Sequence, residues 1–374
     1  MFEFPPDLIG RPLFARFSRA ALRHNAARAR ALLPAGGQML GVIKADAYGH
    51  GLLACADALA ESVDGFAILE LTAARQLREA GVQMPILMLE GFHDVWELQA
   101  FSSLALATVV HRPEQIDRLA AASLHQPMAV FLKLNTGMNR LGFALTDAQA
   151  AYARLKALPQ VADVTVMTHF ADADHVRGTV WQLDRLQAAW PDVMNCRTSF
   201  ANSAALLTGP ADRRLLGDVV RPGIMLYGAS PWGGSQPDKT AEALGLQPVM
   251  TLQSELIAIQ EIQPGERVGY GGTFTAVRPM RIGVVACGYA DGYPRHATNA
   301  TPILVAGQRT TLTGRVSMDR LCCDVTDIPE AQVGSPVTLW GSDLPADDVA
   351  DSAGTIAYEL FCALAPRVLR VWLD

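Results

Sequence analysis

Several nitrogen- and oxygen-bearing side chains in this sequence stand where they could do chemistry. Lys44 follows the apolar pair Val42-Ile43 and opens the string Lys44-Ala45-Asp46-Ala47-Tyr48-Gly49-His50-Gly51. A lysine at the C-terminal end of a strand is partly desolvated, which lowers its pKa and frees a neutral amine for a Schiff base. On position alone, a lysine that snorkels to water is the simpler reading. Lys133 and Arg140 share the string Lys133-Leu134-Asn135-Thr136-Gly137-Met138-Asn139-Arg140-Leu141-Gly142-Phe143 and, read alone, are an ordinary surface pair. His169, within Thr168-His169-Phe170-Ala171-Asp172-Ala173-Asp174, reads alone as a satisfied core histidine. Ser203 follows Asn202, a pair that more often just begins a helix, and Arg221 alone would be a core ion-pair partner. Gly223 has no side chain, so the backbone there can come close to a neighbouring group. The run Gly269-Tyr270-Gly271-Gly272 alone is a turn.

These residues need elements to position them. Short apolar runs at 39–43, 65–69, 85–89, 106–110, 128–134, 164–168, 196–200 and 220–226 read as strands. Helical spacing fills the intervals, as in Ile116-Leu119-Ala120, Leu155-Leu158 and the face Leu183, Leu186, Trp190. Eight β-α units over about 220 residues suggest a (β/α)₈ barrel, with a doubly wound sheet as the rival. Lys44, Asn135, His169, Ser203 and Arg221 all fall at or just past strand ends, or inside the last strand, and a barrel gathers such ends onto one face. After about Gly233 a polar linker at 234–242 containing Pro237 leads into strand-like runs at 250–262, 281–286, 302–305, 310–316 and 336–340, then a helix at 346–365. The expected domains are a barrel of residues 11–235 and a mostly β domain of residues 236–374 together with residues 1–10.

The chain has 374 residues, half of them apolar, and a net charge of −6. That length holds two domains with large cores. The mild acidity and the lack of a basic run argue against nucleic acid. No stretch of about 20 apolar residues suggests a membrane span, and the N-terminus has no leader pattern. The six cysteines are scattered without C-x-x-C spacing, which fits free thiols in a reducing cytoplasm. Nothing in the sequence calls for a metal.

The string from Lys44 to Gly51 resembles the cofactor-lysine signature of the alanine racemases, enzymes of fold-type III that use pyridoxal 5′-phosphate (PLP). The resemblance implies that Lys44 holds PLP and that Tyr48 binds its phosphate. The Lys133–Phe143 string resembles a second family block. It implies that Arg140 donates to the cofactor's phenolic oxygen and helps hold the substrate carboxylate, oriented by Lys133, which is carbamylated in many members. Some members have aspartate where this chain has Asn135, so one charge near Lys133 is missing here. The likeness further implies that His169 stacks near the pyridine ring and hydrogen-bonds an arginine. It also implies that the Ser203 hydroxyl and the amides of Gly223 and Ile224 cup the phosphate, and that Arg221 faces the pyridine nitrogen. Many PLP enzymes place a carboxylate there. A guanidinium keeps its proton and can only donate, so the electron sink is weaker and return of a proton at Cα is favoured over transamination.

In the second domain, the block Val268-Gly269-Tyr270-Gly271-Gly272-Thr273 resembles the catalytic-tyrosine block. In that family the tyrosine enters from the partner subunit of a homodimer with shared active sites. Lys44 would then take the α-proton of D-alanine and Tyr270 that of L-alanine, each returning the opposite proton. An unperturbed tyrosine pKa of about 10 means that nearby cations must help it. The blocks around Gly288 and Gly314 imply that Tyr289 is an inner gate, with Arg295 and Asp174 forming an outer corridor. They also imply that the Met318 amide binds the substrate carboxylate and that Asp319 positions the tyrosine. Tyr358 maps to a further phosphate and gate tyrosine. The likeness runs from about Arg11 to the end. In Glu90-Gly91-Phe92 and Tyr227-Gly228-Ala229-Ser230-Pro231 it is closest to the proteobacterial catabolic type. A cytoplasmic isomerase supplying D-alanine as a peptidoglycan precursor, or degrading alanine, is the implied role. The alternatives are a broader small-amino-acid racemase, a barrel-type PLP decarboxylase, and a non-enzymatic PLP carrier. The decarboxylase pattern needs an acid where Arg221 stands, and the carrier lacks the second domain.

Overall fold

A computed structural model describes residues 10–209, 213–234 and 236–374. The chain divides into two compact units, one spanning Asn25–Leu226 and the other combining the segment up to His24 with Tyr227–Asp374. The first strand, β1 (Leu13–Ser18), belongs to the second unit. The first unit holds β2 (Gln38–Val42), β3 (Gly65–Ile68), β4 (Ile86–Met88), β5 (Ala107–Val110), β6 (Met128–Lys133), β7 (Val161–Met167), β8 (Arg197–Ser199) and β9 (Val219–Val220). Their order is β8-β7-β6-β5-β4-β3-β2-β9, parallel throughout. The two ends meet, because Asp218 N–H donates to Thr198 O and Arg221 N–H to Ala201 O, both at 2.9 Å. The Asp218 carboxylate accepts from the Thr198 amide at 2.8 Å and from its hydroxyl at 3.0 Å. The result is the expected (β/α)₈ barrel, nearly closed.

The sequence explains why these runs become barrel strands. Phe66-Ala67-Ile68 and Val130-Phe131-Leu132 are buried on both faces, so they read as continuous rather than alternating apolar runs. The helix Pro113–Ala121 begins with a proline at a position where no amide is needed and turns Ile116 and Leu119 inward. The expected eighth strand at 220–226 stops at Val220. Pro222 has no N–H to extend a ladder, although its carbonyl still accepts from Val42 N–H at 3.0 Å. The chain then turns into the 3₁₀ helix Ile224–Tyr227.

The second unit contains β10 (Met250–Ile262), β11 (Arg267–Val268), β12 (Phe274–Thr275), β13 (Met280–Val285), β14 (Pro302–Val305), β15 (Gln308–Thr311), β16 (Leu321–Asp324), β17 (Pro336–Trp340) and β18 (Leu369–Leu373). The sheet runs β15-β14-β17-β10-β1-β18, with β13 joining β10 to β16 and β11-β12 forming a separate hairpin. An irregularity between Leu256 and Ala258 re-aims the long strand β10. Its beginning pairs with β1 and β17, its end with β13.

Several expectations shift. The segment 13–18, expected in the barrel domain, pairs with Ser254–Met250 of β10, and Phe17 stacks on Trp372 at 5.1 Å. Residues 227–234 also fold with the β unit, tied by Ser230 N–H to the Asp347 carboxylate and Gly234 N–H to that of Asp351, each 2.9 Å. Residues 1–9 and Ser235, part of the expected boundaries, lie outside the described residues. The strand expected at 310–316 ends at Thr311, before Gly314 takes a left-handed conformation (φ +75°). The helix expected at 346–365 is two helices, Ala346–Ala353 and Ala357–Cys362, interrupted by left-handed Gly354. The six cysteines are free, and no helix among the described residues is long and apolar enough to cross a membrane.

Asp218 supplies side-chain acceptors at the barrel seam. Asp218→Ala leaves the Thr198 amide and hydroxyl without theirs and should cost about 1–3 kcal/mol of stability, read as a lower chemical-denaturation midpoint with an unchanged slope.

Candidate active site

At the C-terminal end of β2 the chain enters a left-handed turn, Lys44–Tyr48. Ala45, Asp46, Ala47 and Tyr48 all have φ near +53°. Side chains disfavour this conformation by roughly 1–2 kcal/mol per residue. Local bonds hold it: Ala47 N–H to Ile43 O and Gly49 N–H to Ala45 O at 3.0 Å, and Gly51 N–H to Asp46 O at 2.9 Å. The Asp46 carboxylate accepts from Leu52 N–H at 2.8 Å, at the start of the next helix. The turn leaves Lys44 half-buried and buries Tyr48.

The Tyr48 hydroxyl lies against Gly223, where a methyl group would stand 2.5 Å from it. Ser203 Oγ accepts from the amides of Gly223 at 2.9 Å and Met225 at 3.4 Å. The Ile224 amide between them has no acceptor among the described residues. Two hydroxyls and a run of amides therefore converge on a spot that glycine keeps open, a donor set suited to a phosphate.

Beside this cup, β6 ends in Lys133, β7 leads to His169 and β9 leads to Arg221. Arg221, 4% exposed, donates to Thr168 O at 2.8 Å, to Phe200 O at 3.4 Å and to the Ser199 hydroxyl. Burial pulls its pKa down to about 10, so it stays charged. Lys133 is 7% exposed. Burial, then Arg221, Arg140 and Lys44, lower its pKa to about 8, against a smaller opposing pull from Glu90. Burial and the same cations hold His169 well below the usual histidine range, so its ring is neutral. Burial, Arg112 and Lys133 also lower His111. Arg140 is exposed at the mouth. The expected hydrogen bond from His169 to an arginine is not made, because the Arg221 donors go to backbone carbonyls and Ser199. Asn135 works locally, its carbonyl oxygen accepting from the amides of Gly137 and Asn139.

The remaining expected residues lie in the second unit, except Asp174, which follows β7. Tyr270, 72% exposed, tips the β11-β12 hairpin. Gly269, Gly271 and Gly272 have φ of 70°, 71° and 52°, conformations a side chain would oppose. The Arg267 guanidinium braces the turn through the carbonyls of Gly271 and Gly272 at 2.7–3.0 Å. Tyr289 and Met318 are brought together by backbone: Tyr289 N–H donates to Ser317 O at 3.0 Å and Ala290 N–H to Met318 O at 2.9 Å. The Met318 amide itself has no acceptor among the described residues. Asp319, expected to help position the tyrosine, is held by Arg367 at 2.6 Å, which lowers its pKa. Arg367 and Arg11 also grip buried Asp291 at 2.7 Å each. Arg295 is exposed, and Tyr358 sits half-buried on the helix Ala357–Cys362.

Residues 17–231 match the model of the alanine racemase N-terminal domain and residues 249–372 that of the C-terminal domain. An alanine racemase of Nitrosospira multiformis is 52% identical over 97% of this chain and 100% of its own, and one of Cupriavidus necator is 50% identical over 96% and 95%. The crystal structure of the biosynthetic alanine racemase from Pseudomonas aeruginosa is 43% identical, with a TM-score of 0.91 over 98% of this chain and 100% of that one. The structure of alanine racemase from Acinetobacter baumannii is 36% identical, with a TM-score of 0.89 over 97% of this chain and 100% of that one. The chain belongs to the alanine racemase family.

Relative to that family reading, sequence reasoning missed Ser199, the side-chain acceptor of Arg221, and Gln182, which lies between two site loops. Gln182 and Leu186 are the buried residues of their helix and buried Trp190 follows it, so a glutamine on an apolar stripe was the available signal.

Lys133 is a buried cation whose pKa falls from an ordinary 10.5 to about 8. The unfolded chain binds the extra proton between those values, so wild-type stability rises as pH climbs from 8 to 10.5 and is lowest below 8. In bicarbonate-free buffer, Lys133→Met should be the more stable protein at pH 7, by up to about 3 kcal/mol. That advantage should shrink above pH 8 in denaturant titrations. An advantage independent of pH would refute the electrostatic origin.

Proposed function

We propose that this chain interconverts L- and D-alanine with PLP bound at the barrel mouth, as an isomerase acting by two bases. Family membership supports the reaction. The observation that carries the cofactor assignment is the convergence of a lysine amine, a cup of hydroxyls and amides, and a buried guanidinium without a carboxylate partner among the described residues. Lys44 would hold the cofactor covalently, and Tyr48, Ser203 and the amides of Gly223 and Ile224 would hold its phosphate. When bound, PLP supplies an electron sink that stabilises negative charge at the substrate Cα.

In this reading Arg221 would face the ring nitrogen and, because it keeps its own proton, would donate without protonating the ring. That donor would leave negative charge nearer the substrate Cα, where a protein base returns a proton. Neutral His169 can pack by the ring without adding charge. Arg140 and the unengaged Met318 amide are donors for the substrate carboxylate. A neutral Lys133 amine, accessible near pH 8, can add carbon dioxide and release a proton, placing a carbamate's negative charge near Arg140.

Lys44 and Tyr270 of the partner subunit are the two bases, on opposite faces of Cα. One takes the α-proton while the other delivers one, so configuration inverts with no net proton change. A phenol presented outward on a braced glycine turn suits a residue that serves a second copy of the chain. Tyr289, Tyr358 and the pair Arg295 and Asp174 would restrict entry to small side chains. Such exclusion is steep against bulky residues and weak against serine. Free cysteines and the family favour a cytoplasmic homodimer.

Purified protein with PLP and L-alanine should yield equal amounts of both enantiomers by chiral chromatography. Release of carbon dioxide instead would indicate a decarboxylase. Lys44→Ala should lose the lysine-dependent absorbance of the bound cofactor along with activity. Tyr270→Phe should slow solvent-proton exchange into L-alanine far more than into D-alanine, and equal slowing would overturn the division between the bases.

A further inference from the structure

Gln182 is fully buried on the apolar face of the helix Val180–Ala189, where a leucine would pack without polar atoms to satisfy. A buried amide is tolerated when its groups are bonded. Its Oε1 accepts from Ala171 N–H at 2.7 Å, and its Nε2 donates to Thr136 Oγ1 at 2.7 Å and to His169 O at 3.1 Å. Thr136 Oγ1 accepts from Nε2 and gives its own proton to Thr168 Oγ1 at 2.7 Å, because the single hydroxyl proton of Thr168 is committed elsewhere. Thr168 in turn donates to Leu134 O at 3.1 Å. Thr136 and Thr168 are each 1% exposed.

The chain of bonds has one direction and one amide orientation. It begins where the β6-β7 ladder gives out, at Leu134 N–H to Met167 O, and spans the two loops that leave those strands. One loop carries Arg140 and the other carries His169. The same helix also presents Trp181 to Gly137, where a side-chain carbon would stand 2.2 Å from the ring.

We infer that Gln182 is a positioning residue for the reaction, fixing His169 through its carbonyl and Arg140 through Thr136 and the loop beyond it. This rests on the proposed roles of His169 at the cofactor and Arg140 at the substrate carboxylate. The amide touches neither and acts through both loops.

The test compares holoenzymes of wild type, Gln182→Glu, Gln182→Leu and Thr136→Val, with Leu155→Ala as a control. Leu155 is buried near the C-terminal end of the helix Ala148–Lys156 and is in none of these hydrogen bonds. Alanine kcat, KM, the bound-cofactor absorbance and Tm are measured for each. Both Gln182 variants should lose kcat/KM by on the order of 10- to 100-fold, with kcat down, KM up and the absorbance band shifted. Thr136→Val leaves the bonds to His169 and Ala171 in place and should raise KM while largely sparing kcat. Gln182→Glu cannot donate when ionised, so its deficit should narrow as pH falls and the buried carboxyl regains a proton.

Wild-type kcat/KM in the Gln182 variants overturns the inference. So does a loss no larger than that of Leu155→Ala at the same drop in Tm. If the Gln182 variants do not fold, Thr136→Val decides alone: an unchanged KM overturns it. A wild-type protein that binds PLP but does not racemise alanine defeats the functional reading instead, and is visible before any variant is made.

Discussion

A buried guanidinium with no carboxylate partner among the described residues organises the mouth of the barrel. Arg221 follows β9, donates to the backbone just past β7 and to the Ser199 hydroxyl at the end of β8, and so stitches three strand ends together. Its charge is desolvated and unneutralised, and it acts on its neighbours. It lowers Lys133 and His169 together with burial, keeping the histidine neutral and bringing the lysine within reach of its neutral form. An acid at this position would neutralise that field and could protonate a ring nitrogen. The choice of arginine therefore sets both the electrostatics of the site and the chemistry available to a bound cofactor.

The strained backbone at Lys44–Tyr48 has a complementary purpose. Four successive left-handed residues are unfavourable, yet two of them are alanines with small side chains, and Asp46 and Gly49 close the turn with hydrogen bonds. The geometry sends a lysine and a tyrosine from adjacent turns toward one barrel mouth, which an extended strand end would not do. Strain held by surrounding bonds is a common companion of pre-organised sites.

The β unit solves a different problem, which is holding exposed groups still. Tyr270 is presented on a turn of three glycines that would be floppy without the Arg267 guanidinium across its carbonyls. The Met318 segment is fixed by backbone bonds to Tyr289 and Ala290 and by the Arg11, Asp291, Arg367 and Asp319 ion network beneath it. Polar networks of this kind are rigid when every member is satisfied.

The apolar runs and their spacing were enough to place the barrel strands, because strands buried on both faces carry uninterrupted hydrophobic sequence. The motif around Lys44 was enough to mark the family. Sequence alone could not decide which sheet receives Leu13–Ser18, since a short apolar run fits either and only long-range pairing with β10 chooses. Nor could it end the last barrel strand at Val220, show the left-handed turn after Ile43, or reveal that Asp319 turns to Arg367. Gln182 was invisible as a link between loops for the same reason. Local residue patterns encode which elements form and which face is buried, whereas hydrogen bonds between residues far apart in sequence exist only once the elements have packed.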